Sequence, residues 1–174
     1  MKKFQLLMNK TMLYKTTELI LASALILSCA ACGKKLESDV SPIMVARYIL
    51  SWQTDCPEVT VLTAASEDFS SYLTNIYGLD EASVEDGVIL SPTGAQAQEI
   101  AVFRMIDADA AETAQSALDY YITQRHGAFA GYAPDQAFLL EGAETVTCDR
   151  YALLLICEDA ATTASHAIKS LSRN

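Results

Sequence analysis

Few side chains in this sequence have the types and spacing that chemistry needs. Cys29 and Cys32, three residues apart in "LSCAACGKK", could serve disulfide exchange or half a metal site. Both uses require a folded setting or further ligands, yet this pair closes an uncharged run and has no histidine nearby. "DADAAE", Asp107 to Glu112, begins like a calcium loop. An EF-hand needs Gly where Glu112 stands and a bidentate Glu where Leu118 stands, so the match fails twice. Asp109 as N-cap with Glu112 three residues on reads instead as a capping box. Of the two histidines, His126 follows Arg125 at an expected helix end, where cations meet the dipole favourably. His166 falls off the apolar stripe of the last helix and is expected to face solvent. No Gly-x-Ser-x-Gly elbow, HExxH or glycine-rich phosphate loop is present. No catalytic residue, metal site or cofactor is therefore assigned. The segment "RHGAFAGYAPDQ" joins a cation, a histidine and aromatics in a glycine-containing loop. It makes Arg125, His126 and Tyr132 the candidate binding residues. The plainer alternative is that Phe129 and Tyr132 pack this connection onto the domain edge.

The cysteine pair is better explained by its surroundings. Four lysines (Lys2, Lys3, Lys10, Lys15) precede the uncharged run from Leu19 to Ala31. Thirteen residues fall short of the roughly 18–20 that span a bilayer but match the apolar core of a secretory signal. The "AACGKK" that follows resembles a bacterial lipobox, in which small residues precede the cysteine that carries the lipid. Cys32, preceded by Ala30 and Ala31 and followed by Gly33, fits this pattern better than Cys29, where Ile26 and Ser28 fit but Leu27 is bulky for its place. Cys29 remains the alternative register, and an uncleaved N-terminal anchor the alternative to cleavage. A thioether-linked diacylglycerol has two acyl chains, enough for stable anchoring. The expected organisation is a signal peptide over 1–31, a linker over 32–40 and one extracytoplasmic domain over 41–174. The expected location is the outer face of the cytoplasmic membrane.

Composition supports a folded chain: 174 residues, 51% hydrophobic, with only 7 Gly and 4 Pro. The leader takes four lysines and one acid from totals of 12 basic and 22 acidic residues. That leaves 8 basic against 21 acidic residues from Cys32 onward, a net charge of −13. A body this acidic repels phosphate backbones, which excludes nucleic acid as a partner.

The elements that must position these residues can be read from periodicity. Ser41-Pro42 marks a helix start, and Val45, Tyr48, Ile49 and Trp52 share one face. After Pro57, "VTVLT" is a short β-branched piece leading to a second helix capped by Ser66. Phe69, Tyr72, Leu73 and Ile76 form that helix's face and Gly78 ends it. "VEDGVILS" and "EIAVFRMI" read as paired strands, followed by a helix over about 110–125. A loop and short helix, a second strand pair ("AETVTC", "YALLLIC") and a closing helix complete the chain. The strand-strand-helix order thus occurs twice, with similar spacing some fifty residues apart. The expected fold is an α+β two-layer sandwich: a four-stranded antiparallel sheet from two strand-strand-helix units, plus two N-terminal helices.

Two features constrain this picture. "YALLLIC" is apolar on both faces, so either the N-terminal helices or a partner must cover the second face. Cys148 beside the hairpin turn and Cys157 at its far end lie roughly 20 Å apart, too far for a disulfide. Pairing of Cys56 with either stays open beside three buried thiols.

The lipobox, the acidic domain, "YGLD", "EIAVFR", Arg125, "YAP" and "YALLLI" occur in an order that resembles an uncharacterised lipoprotein domain family of Gram-positive anaerobes, a domain of unknown function. The resemblance runs from about Val40 to Lys169 and implies location and fold, with no activity attached. The expected function is a membrane-anchored, non-catalytic binding or accessory module with a protein or small-ligand partner. A cell-surface hydrolase or cell-wall-modifying enzyme using the Arg125-His126 cluster is the alternative.

Overall fold

The computed structural model describes residues 39–54 and 58–172. The leader with Cys29 and Cys32, most of the linker, and Cys56 lie outside the described residues. Helix α1 (Pro42–Leu50) starts where expected, with proline at its first position and Val45, Ala46 and Ile49 buried. Trp52 lies beyond its end and is half exposed. Strand β1 (Val59–Thr63) is followed by a short helix α2 (Phe69–Tyr72) that runs into a π-helical turn (Leu73–Tyr77). Strands β2 (Val84–Pro92) and β3 (Glu99–Met105) precede the long helix α3 (Ala108–Ala130) and helix α4 (Pro134–Glu141). Strands β4 (Glu144–Cys148) and β5 (Tyr151–Ile156) and helix α5 (Ala160–Leu171) complete the described chain.

The architecture is α+β, with an open sheet of five strands in the order β1-β2-β3-β5-β4, every neighbouring pair antiparallel. This corrects the four-stranded expectation. "VTVLT" is not a lead-in to a helix but the edge strand, with Val61 opposite Leu90. Five β-branched or apolar residues are too few to show a reliable period, whereas pairing along β2 gives them a ladder.

The two-layer expectation is corrected as well, because helices cover both faces. Along β3, Ala101, Phe103 and Met105 face a core made with α2, α3 and α4. Ile100 and Val102 face a second core made with α1 and α5. All six residues of β5 are buried between them. The two-sided apolarity of "YALLLIC" is therefore explained within the chain, and the argument for a partner on a bare sheet face falls. The apparent repeat fails for the same reason. Ala101 and Phe103 of β3 do correspond in facing to Ala152 and Leu154 of β5, but α3 and α5 lie on opposite faces.

Local capping also differs in detail. Asp107, not Asp109, caps α3, its Oδ1 accepting from the Ala110 amide at 2.8 Å. The helix then continues through Gly127 to Ala130, so the stretch after Arg125 is helix rather than loop. In the π-helical turn each turn takes in an extra residue. The buried face is accordingly Phe69, Leu73 and Tyr77, while Tyr72 and Ile76, expected inward, are exposed. Gly78 then ends the turn in the left-handed region at φ 68°, and Leu79 donates back to the Leu73 carbonyl.

Candidate functional site

The most unusual group in the domain is a carboxylate in the core. Glu99, the first residue of β3, is only 3% exposed. Strand alternation points it to the same face as Ala101 and Phe103, where an unpaired charge would cost several kcal/mol. Three donors converge on it. The Tyr77 hydroxyl donates to Oε1 at 2.5 Å, the Tyr121 hydroxyl lies 2.9 Å from Oε2, and Arg125 Nη1 donates to Oε2. Nη1 also donates to the Tyr121 oxygen at 2.7 Å. The partners arrive from two elements: Tyr77 from the π-helical turn, and Tyr121 and Arg125, one turn apart, from α3. The Tyr77 and Tyr121 rings meet edge-on at 4.7 Å, and the Arg125 guanidinium lies 5.6 Å from the Tyr121 ring and 5.5 Å from Phe129.

The electrostatics follow from this burial. Desolvation holds the Glu99 carboxyl above its ordinary range, with Arg125 and then the hydrogen bonds pulling the other way. Burial and the neighbouring carboxylate push both tyrosines upward, so they act as neutral donors. Burial works against the guanidinium's charge, but Glu99 and the tyrosines outweigh it and Arg125 stays charged. With each group hydrogen-bonded to another, the network is suited to holding shape.

What it holds is a groove wall. Arg125 Nη2 donates to the Gln96 carbonyl at 2.9 Å, and the Gln136 side chain of α4 accepts from the Ala97 amide at 2.7 Å. Two helices thus pin the segment that leads into β3. Beside it opens a groove of about 1010 Å³ at the end of the sheet where β3 begins and β5 ends. Gln96, Gln98 and Gln136 supply amides, Asp135, Glu158 and Asp159 supply carboxylates, and Phe138, 75% exposed, supplies an aromatic rim. The Cys157 thiol in its lining is pushed up to about 11 by burial, so it is a poor nucleophile. Among the described residues no group of three or more His, Cys, Asp or Glu side chains is placed to hold a metal ion.

The candidate residues from sequence separate in space. Arg125 belongs to the buried network. His126 lies inside α3, not at its end, and its Nε2 is 3.5 Å from Glu141 in an exposed pair. Tyr132 is 63% exposed and touches Phe129, itself buried, at a ring distance of 5.4 Å. None of the three lines the groove. His166 does not simply face solvent; its ring stacks on Trp52 at 4.0 Å. Cys148 and Cys157 are both buried free thiols at opposite ends of β5, in keeping with the expected separation.

Residues 60–157 match the model of a domain of unknown function, DUF4358. The chain belongs to this family. The matched stretch takes in most of the sheet, helices α2 to α4, and all four residues of the Glu99 network; α1 and α5, which cover the other face, lie outside it. No curated protein and no solved structure matches the chain.

Proposed function

We propose that this DUF4358 protein is an extracytoplasmic lipoprotein, anchored through Cys32 to the outer face of the cytoplasmic membrane, whose domain is a non-catalytic binding module. The groove is the observation that carries the binding reading. It is open, of a size for a small ligand, and one wall is fixed by a buried ion pair and two tyrosines instead of by loop packing alone. Its lining of amides, carboxylates and one exposed ring suits a polar ligand held by hydrogen bonds. The anchoring reading is supported by the lysine-led leader, its thirteen-residue apolar run and the small residues before Cys32. Among the described residues no helix is long and apolar enough to cross a membrane. The hydrolase alternative has no observation in its favour, since Arg125 is committed to Glu99 and His126 to a surface carboxylate.

Native mass spectrometry of the full chain released gently from membranes tests the binding reading. A companion mass on the wild type that disappears in Ala161→Trp, which puts a bulky ring on the groove lining, is the expected result. Bare protein in both, or a companion retained by the variant, rejects the groove as the binding surface.

A further inference from the structure

The chain enters the domain at one end of the sheet, and the groove opens at the other. Asp39 Oδ1 accepts from Arg150 Nη2 at 2.8 Å and from Arg104 Nη1 at 3.2 Å. Arg150 is in the β4–β5 turn and also bonds Glu85 at the start of β2 at 2.8 Å; Arg104 is near the end of β3. One residue on, the carbonyl of Val40 accepts from the Tyr151 hydroxyl at 2.7 Å, and Val40 packs on the core behind it. Tyr151 is 1% exposed, so this second contact is built into the core rather than laid on the surface. The groove is lined by Gln98 just before β3 and by Cys157 and Glu158 just after β5. From Gln98 to Arg104 the strand advances about 20 Å at its usual rise. Helix α1 runs the same course, from Pro42 beside the clamp toward Thr54 on the groove lining.

We infer that the clamp at Asp39 and Val40 holds the domain with its groove facing away from the anchoring membrane, open to a water-borne ligand and closed to bilayer lipid. This rests on the anchoring reading above. Between Cys32 and Asp39 the chain reaches about 25 Å when fully extended. Turning the groove onto the bilayer would require that whole reach to run back along the domain. Charge acts in the same direction. Lys34 and Lys35 adjoin the anchor in sequence, whereas Asp135, Glu158 and Asp159 line the groove and are repelled by anionic headgroups.

Depth-dependent quenching tests the orientation. The full chain, isolated from membranes with Cys56→Ser, carries a fluorophore on either Ile106→Cys or Phe138→Cys. Ile106 directly follows β3 at the clamp end and Phe138 rims the groove; both are more than half exposed. Each sample is placed in phosphatidylcholine vesicles that contain nitroxide-bearing phosphatidylcholine, and its intact mass is recorded. Several-fold stronger quenching at position 106 than at 138 is expected. Equal or reversed quenching on a chain whose mass includes the diacylglycerol overturns the orientation alone. A chain without the lipid removes the anchoring reading and the orientation with it.

Discussion

Replacing Arg125 by leucine should expose how the Glu99 network is balanced. The substitution keeps an apolar stem against Phe129 but removes the only cation that touches Glu99 among the described residues. Because Glu99 is 3% exposed and the Arg125 side chain 19%, solvent screens little of this pair. Stranding a buried carboxylate in this way costs about 3–5 kcal/mol, a large share of the 5–15 kcal/mol typical of a whole domain. With a urea dependence of roughly 2 kcal/mol per molar, the unfolding midpoint should fall by about 2 M. The deficit should also depend on pH. Glu99 already binds its proton more tightly folded than unfolded. Its share of stability is therefore full below the unfolded carboxylate value and lost as pH rises through the folded one. Without Arg125, the largest influence holding that value down, the loss deepens and extends to higher pH. Urea unfolding followed by circular dichroism at pH 5 and pH 8 measures both effects, and the variant should fall further behind the wild type at pH 8. Adding Glu99→Gln should recover much of the difference and flatten the pH dependence. A deficit below about 1 kcal/mol, within the range of an exposed pair, and equal at both pH values would refute the reasoning.

Other consequences are equally open to measurement. A Cβ at Gly87 would sit 2.6 Å from Cζ of Phe69 and 3.0 Å from Cδ1 of Phe103, both rings buried. Gly87→Ala should thus cost about 1–3 kcal/mol through overpacking and lower Tm, and an unchanged Tm would contradict the packing. Gly127, inside α3 with open space at its Cβ position, should behave oppositely: Gly127→Ala is expected to stabilise by roughly 0.5–1 kcal/mol. Burial raises the thiols of Cys148 and Cys157, so iodoacetamide at pH 8 should leave both unmodified until denaturant is added. Rapid labelling of either in the native protein, read by peptide mapping, would show that its strand end is open to solvent.

How much of this was legible in the sequence varied with the kind of signal. Helices α1, α3, α4 and α5 and the two hairpins follow from periodicity and turn residues, because their apolar faces are long enough to show a period. Strand β1 and the second helix layer did not follow. "VTVLT" is short, and nothing local states that α3 and α5 take opposite sides of the sheet. The π-helical turn was hidden because Phe69, Tyr72, Leu73 and Ile76 satisfy ordinary helical spacing; the extra residue per turn instead brings Tyr77 inward, where its hydroxyl bonds Glu99. Glu99 itself had a readable signal. An acid at the start of "EIAVFRM", in phase with Ala101 and Phe103, points into the core and demands a cation and donors. Arg125 was singled out for its neighbour His126, yet its partners come from β3 and the π-helical turn, a long-range convergence that no spacing along α3 encodes. The groove has no sequence signature, since its lining comes from four separate connections and from helices α4 and α5.

The proposed lipid tether outside the cytoplasmic membrane has a direct readout in the intact mass of the protein isolated from membranes. A chain beginning at Cys32, heavier than its sequence by a thioether-linked diacylglycerol, is the expected result. A lipid-bearing chain beginning at Cys29 would shift the register and keep the anchor. An unmodified chain that retains Met1 to Ala31 would contradict the claim.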